Sequence, residues 1–300
     1  MWIFFAFLAP ALYAVGEIFD EYLSNRGFKH IAPIIFFASA LNILFVPIIF
    51  FIQRPVMPDI NLLWPILGVA LTNLLYLYPY YRSLQIEDTS VVSAFFSFGK
   101  IIIPVFAFFL VGEVLALREY IGIGIIIFGN VALALHVTKH KFRLSKAFFM
   151  ILFASTLLAF EGILFKYMFE QGMNWSTAIG GQLLLAGVLG CTILLLFRKT
   201  RRQIIEERSQ YRKSLRLFFT EELFTFLGLA AETYAISLAP VSLVKGIGMA
   251  IPIFVLSYTV VVKRMNPKAF HENTHRAVVI RKICIFALII LGLGLIGFGE

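Results

Sequence analysis

Charged and hydroxyl residues recur at helical spacing inside otherwise apolar stretches of this chain. Ser90, Ser93, Ser97 and Lys100 follow one another at three- and four-residue steps, which puts them on one face of a helix. A cation there can hold a carboxylate or phosphate, and hydroxyls can complete its hydrogen bonds. Glu221, Thr225, Gly228 and Glu232 also share a face, with the two carboxylates roughly 16 Å apart along the axis. Carboxylates so placed can carry protons or hold an amine. Tyr13, Glu17, Asp20 or Glu21, and Ser24 suggest a third such face, and Asn73, Tyr76, Tyr80 and Ser83 a fourth. The candidates for substrate binding are Lys100, Ser93, Ser97, Asn73, Tyr76, Tyr80, Glu221 and Glu232. Those for coupling or gating are Glu17, Asp20, Glu161 and Lys245.

Each also has a plainer use. Lys100 can sit in a salt bridge with Glu161, Glu17 or an eighth-span carboxylate and simply hold a bundle together. Lys245 starts near one end of its apolar stretch, where its stem can snorkel to the interface; Lys166 is placed similarly. Asp20, Glu21 and Arg82 can form an interfacial ion cluster or a gate latch. The serines can bond back to their own helix, and the tyrosines can be packing.

The elements that must position these residues are membrane spans. Of 300 residues, 60% are hydrophobic and 14% charged, and the apolar residues come in stretches near the ~20 residues a helix needs to cross a bilayer. These stretches do not alternate apolar and polar residues as the strands of a membrane barrel do. The spans fall at approximately 2–23, 31–52, 61–82, 90–111, 118–137, 147–169, 175–197, 217–238, 241–262 and 281–298. The expected fold is all-α: a polytopic membrane protein of ten transmembrane helices. The first span reads as a retained helix, because it has no basic leader and no small-residue cleavage site. Cys191 and Cys284 fall inside spans and read as packing residues.

The net charge of +9 does not point to nucleic acid. Most of the 26 Lys and Arg lie in the odd-numbered connections, above all between Arg198 and Arg216 and between Lys263 and Lys282, whereas the even-numbered ones hold only Arg54 and Arg118. This one-sided distribution puts the odd-numbered loops in the cytoplasm and both termini outside, in a plasma (inner) membrane.

Two parts of the chain look alike. Tyr81-Arg82-Ser83-Leu84, then Ser90-Val91-Val92, then Pro104 and Gly112-Glu113 are echoed by Tyr234-Ala235-Ile236-Ser237-Leu238, then Ser242-Leu243-Val244 and Pro252. Gly122 and Gly129 in the fifth span are matched by Ala287 and Gly294 in the tenth. Five spans per unit is an odd number, so the second unit enters from the opposite side, as in many secondary transporters. The units are 1–137 and 147–300, joined by a basic linker at 138–146.

On these motifs, from Tyr81 to Ala134, the chain resembles the EamA-type branch of the drug/metabolite transporter superfamily over essentially its whole length. The resemblance implies two inverted five-helix repeats around a central cavity and alternating access for small metabolites. The sequence departs from that pattern at Lys100, where relatives usually have proline or a small or neutral residue. It departs again near Val262-Lys263-Arg264, where the second Gly-Glu is missing.

The reading is a secondary carrier for amino acids or related metabolites, moving them outwards. The alternative is a flippase for a lipid-linked or phosphorylated amphiphile. A scaffold or membrane-embedded enzyme comes third, since the chain has no phosphate loop, zinc-protease motif, cysteine cluster or nucleophile elbow. His30, His136, His140, His271 and His275 lie near basic span ends, with no carboxylate at a metal-ligand offset. No cofactor is expected. The expected partners are a small-molecule substrate and the lipid bilayer, with no nucleic acid. The glycines of the fifth and tenth spans leave a homodimer seam as one of their uses.

Overall fold

The computed structural model describes residues 1–87, 89–137, 146–265 and 276–297, which are helical throughout apart from short connections. Its helices are α1 (Trp2–Tyr22), α2 (Ile31–Ile52), α3 (Leu63–Leu84), α4 (Thr89–Lys100), α5 (Ile103–Val111), α6 (Leu117–Val137) and α7 (Lys146–Glu170). They continue with α8 (Trp175–Leu196), α9 (Arg198–Glu206), α10 (Arg208–Leu238), α11 (Val241–Gly248), α12 (Ile251–Met265) and α13 (Arg276–Gly297). Among the described residues, seven helical stretches are long and apolar enough to cross a membrane. Large apolar side chains such as Phe4, Leu44, Leu75, Phe109 and Phe128 stand exposed on their outer faces. The chain is therefore a polytopic α-helical integral membrane protein.

Two expected spans are each two helices. The stretch 90–111 breaks between Lys100 and Ile103, and 241–262 breaks between Gly248 and Ile251. Proline explains both. Pro104 and Pro252 stand in the first turns of α5 and α12, and neither has the N–H that would bond the carbonyl four residues earlier. Those carbonyls belong to Lys100 and Gly248, the last residues of α4 and α11. Helical backbone can open in a membrane only where other groups satisfy it. In α11–α12 they do: Lys100 Nζ donates to Gly248 O at 3.3 Å, and Asn130 Nδ2 to Met249 O at 3.1 Å.

The eighth span is longer than hydropathy suggests. α10 has 31 residues, or roughly 46 Å at 1.5 Å each, because Arg208–Arg216 continues the helix beyond the apolar part. The basic run before it forms α9. Glu207, between α9 and α10, accepts the backbone N–H groups of Lys29 and His30 at 3.0 Å each, so this connection is docked onto the start of α2. The linker at 138–145, His140, His271, His275 and Glu300 lie outside the described residues.

The dominant packing pairs are α1 with α10, α3 with α7, α2 with α8 and α6 with α13; α4 lies on α7, and α1 also lies on α11 and α12. Small residues permit the close approaches. A Cβ on Gly122 would stand 2.8 Å from Gly292 O, and one on Gly292 would stand 2.8 Å from Gly122 O. Within one chain α6 and α13 thus pack glycine against glycine, Gly122 on α6 and Gly292 on α13.

Candidate functional site

The polar faces expected on four spans meet in the middle of the bundle. They enclose a cavity of about 120 Å³ lined by Tyr13, Glu17 and Asp20 of α1, Asn73, Tyr76 and Tyr80 of α3, and Phe96 and Lys100 of α4. Leu158 and Glu161 of α7, Thr225, Leu229 and Glu232 of α10, Lys245 of α11 and Ile251 of α12 complete it. Glu17, Asp20, Lys100, Glu161, Glu232 and Lys245 are all buried. The breaks in the fourth and ninth spans open beside it, which is why Lys100 and Lys245 reach its interior.

Its charges are organised rather than scattered. Glu232 and Lys245 form an ion pair at 2.8 Å, with side chains 10% and 7% exposed, and Tyr13 donates to the same carboxylate oxygen at 3.3 Å. Lys245 therefore does not snorkel: its stem runs past Gly162, where an added Cβ would meet Lys245 Cε at 2.5 Å, and its ammonium is held inside. Asp20 receives the phenols of Tyr80 and Tyr81, both at 2.9 Å. Glu17 receives Ser93 Oγ. Glu161 receives Gln182 Nε2 and, at 3.4 Å, Asn73 Nδ2.

Lys100 is different. Its hydrogen bond to Gly248 O is to a neutral carbonyl, and no carboxylate among the described residues is within ion-pair distance of it. The salt-bridge use is absent, and the cation keeps donors to spare. A Cβ on Gly248 would stand 3.5 Å from Lys100 Nζ and 3.6 Å from Glu232 Oε1. The ammonium and that carboxylate oxygen therefore flank the same glycine. A group carrying both a carboxylate and an amine has a partner for each here.

Other expected residues fall elsewhere. Glu221 is buried one turn from Thr225, which donates to its Oε1 at 3.0 Å, while its Oε2 has no partner; it does not line the cavity. Ser93 reaches the cavity through Glu17. The side chain of Ser97 lies outside the described residues. Arg82 is exposed and donates to Gln85 at 2.8 Å, and Lys166 pairs with Glu170.

Several participants were not singled out from the sequence. Gln182 is a lone amide in the apolar run of α8, a signal the acidic residues overshadowed. Tyr81 and Glu222 are buried neighbours of expected residues, and only the packing brings them inward. Glu113, known from the sequence only as part of the Gly112-Glu113 motif, has a specific role. Gly112 ends α5 with φ +66°, a left-handed geometry that suits glycine. The turn delivers Glu113 to the N-terminus of α11, where its carboxylate accepts Val241 N at 2.8 Å and Ser242 N at 3.0 Å. The Gly-Glu motif thus caps the broken helix of the ninth span.

Comparison with known proteins agrees with this picture. A solved crystal structure is similar in fold, with a TM-score of 0.63 and 15% identity over 98% of this chain and 95% of that one. No curated protein sequence matches. The model of the EamA-like transporter family matches residues 1–135, a family of membrane transporters of small molecules. The resemblance carried by the Tyr81 to Ala134 motifs thus agrees with a family match that covers residues 1–135 of the chain.

Proposed function

We propose that the protein is a secondary carrier for small metabolites bearing a carboxylate and an amine, amino acids or close relatives, exported by alternating access. The observation that carries this reading is one buried cavity to which both halves of the chain contribute charges. Lys100 anchors the carboxylate and Asn73, Tyr76 and Tyr80 line the substrate's path. Glu232 takes the amine, released in part from Lys245. Glu17, Asp20, Glu161 and Glu221 are the groups through which protons are coupled or gates are held. A cavity of about 120 Å³ suits a compact polar substrate better than a bulky amphiphile.

Two inverted five-helix units, ten spans in all, are part of the proposal. Exchanging spans one to five for spans six to ten turns the first-with-eighth packing into sixth-with-third, and the fourth-on-sixth packing into ninth-on-first. Second-with-seventh and fifth-with-tenth map onto themselves, and both packing patterns occur. Both middle spans of the exchange are broken, as expected where substrate sites lie at a repeat interface.

The test is a thermal-stability screen of the purified protein against zwitterionic, anionic, cationic and lipid-phosphate ligands, since a ligand of the folded state raises its melting point. Amino-acid-like ligands should stabilise the wild type and not Lys100→Ala. In vesicles, Lys100→Ala and Glu221→Gln should both lower transport of the stabilising compound by tenfold or more. Unaltered transport in both variants sinks the proposal.

A further inference from the structure

A second recess lies away from the central cavity, at the basic ends of the spans. It encloses about 680 Å³ between α2, α3 and α8, under α9. Lys29, Arg82, Lys146 and Lys199 stand around its rim, all four exposed. No carboxylate among the described residues is within ion-pair distance of any of them. Two acids of the α9–α10 connection are occupied: Glu206 pairs with Arg202, and both oxygens of Glu207 take backbone N–H groups. Below the rim the wall is apolar, with Leu74, Leu75, Tyr78 and Ile193. Leu75 and Tyr78 are 56% and 59% exposed on the outer face of the bundle.

We infer that this recess is a binding site for one anionic phospholipid. The cations sit where a headgroup phosphate lies, and the wall continues onto the surface that faces acyl chains. A free anion would use the rim alone and leave the wall uncovered. α9 supports the placement. Leu196 and Phe197 just before it and Ile205 within it are 73%, 61% and 66% exposed, while Arg198, Lys199, Arg201 and Arg202 give it a basic surface. A helix of that make-up lies in the interface and attracts anionic lipid.

The experiment uses the full chain in a neutral detergent, titrated with phosphatidylglycerol, with phosphatidylcholine of the same acyl chains, and with glycerol phosphate. Native mass spectrometry counts the lipids retained, and melting gives stability. Phosphatidylglycerol should be retained at one per chain and raise the melting point, and the other two should do neither. Arg82→Gln with Lys199→Gln should weaken retention by about tenfold. Arg212→Gln with Arg216→Gln, equal in charge but off the recess, should keep it, as should Lys100→Ala in the central cavity. Equal retention of phosphatidylcholine overturns the charge argument. An equal effect of glycerol phosphate makes it a free-phosphate site, and equal loss in the off-recess variant makes it unspecific attraction; either result overturns the inference. If the double variant does not fold, Arg82→Gln alone is read in the same titration, and unchanged retention there overturns it too.

Discussion

Glu232 and Lys245 hold a charge pair in a place where neither charge could stay alone. Removing one partner of a buried pair leaves the other desolvated, at a cost of about 3–5 kcal/mol, while replacing both by apolar groups costs far less. Glu232→Gln should therefore lower stability more than Glu232→Gln combined with Lys245→Met, as read by unfolding in detergent. Equal losses would mean that the pair acts through packing alone. Asp20 and Glu161 are stabilised differently, by phenols and amides that donate to them. The site thus separates carboxylates held by neutral donors from the one held by a cation, and leaves Lys100 hydrogen-bonded to a neutral carbonyl.

At the scale of the element, the broken ninth span is held open by the first half of the chain. Glu113 caps α11, Lys100 and Asn130 take the carbonyls at its break, and Gly112 makes the turn that brings Glu113 there. Glu113→Ala should cost about 0.5–2 kcal/mol, the usual range for a lost N-terminal cap, and Gly112→Ala about 1–2 kcal/mol for left-handed backbone. Thermal melts of each variant measure both. If Glu113→Ala melts like the wild type, the cap is not structurally important. The α6–α13 seam makes a separate claim. Gly122→Leu must push the two helices apart, so the melting point should fall while the oligomeric state, read by light scattering, stays the same. A changed oligomeric state with unchanged stability would instead place that seam between chains.

For the whole molecule the open matter is orientation. The basic connections predict α9 in the cytoplasm and the connection after α2 outside. In a Cys191→Ser, Cys284→Ser background, an impermeant thiol reagent added to intact cells should label Met57→Cys and leave Arg201→Cys untouched. After permeabilisation both should react. The reverse pattern would invert the topology without changing the fold. It would also move the recess beneath α9 to the other leaflet.

The sequence by itself determined the class of the molecule and most of its helices. Long apolar stretches have one inexpensive solution in a bilayer, and the periodic polar residues within them mark the faces that cannot meet lipid. Thus the cavity residues Glu17, Asp20, Asn73, Tyr76, Tyr80, Lys100, Glu161, Glu232 and Lys245 were legible one helix at a time. Pairing was not. Whether Lys100 or Lys245 takes the carboxylate of Glu232 depends on where two helices break and which way the fragments point, and distant packing sets that. Hydropathy also misplaced Lys245 at the interface and hid the extension of α10, because it measures affinity for lipid rather than helix or burial among polar neighbours. Glu113 shows the same limit: its type and turn were visible, but the helix that it caps is brought to it only by the tertiary fold.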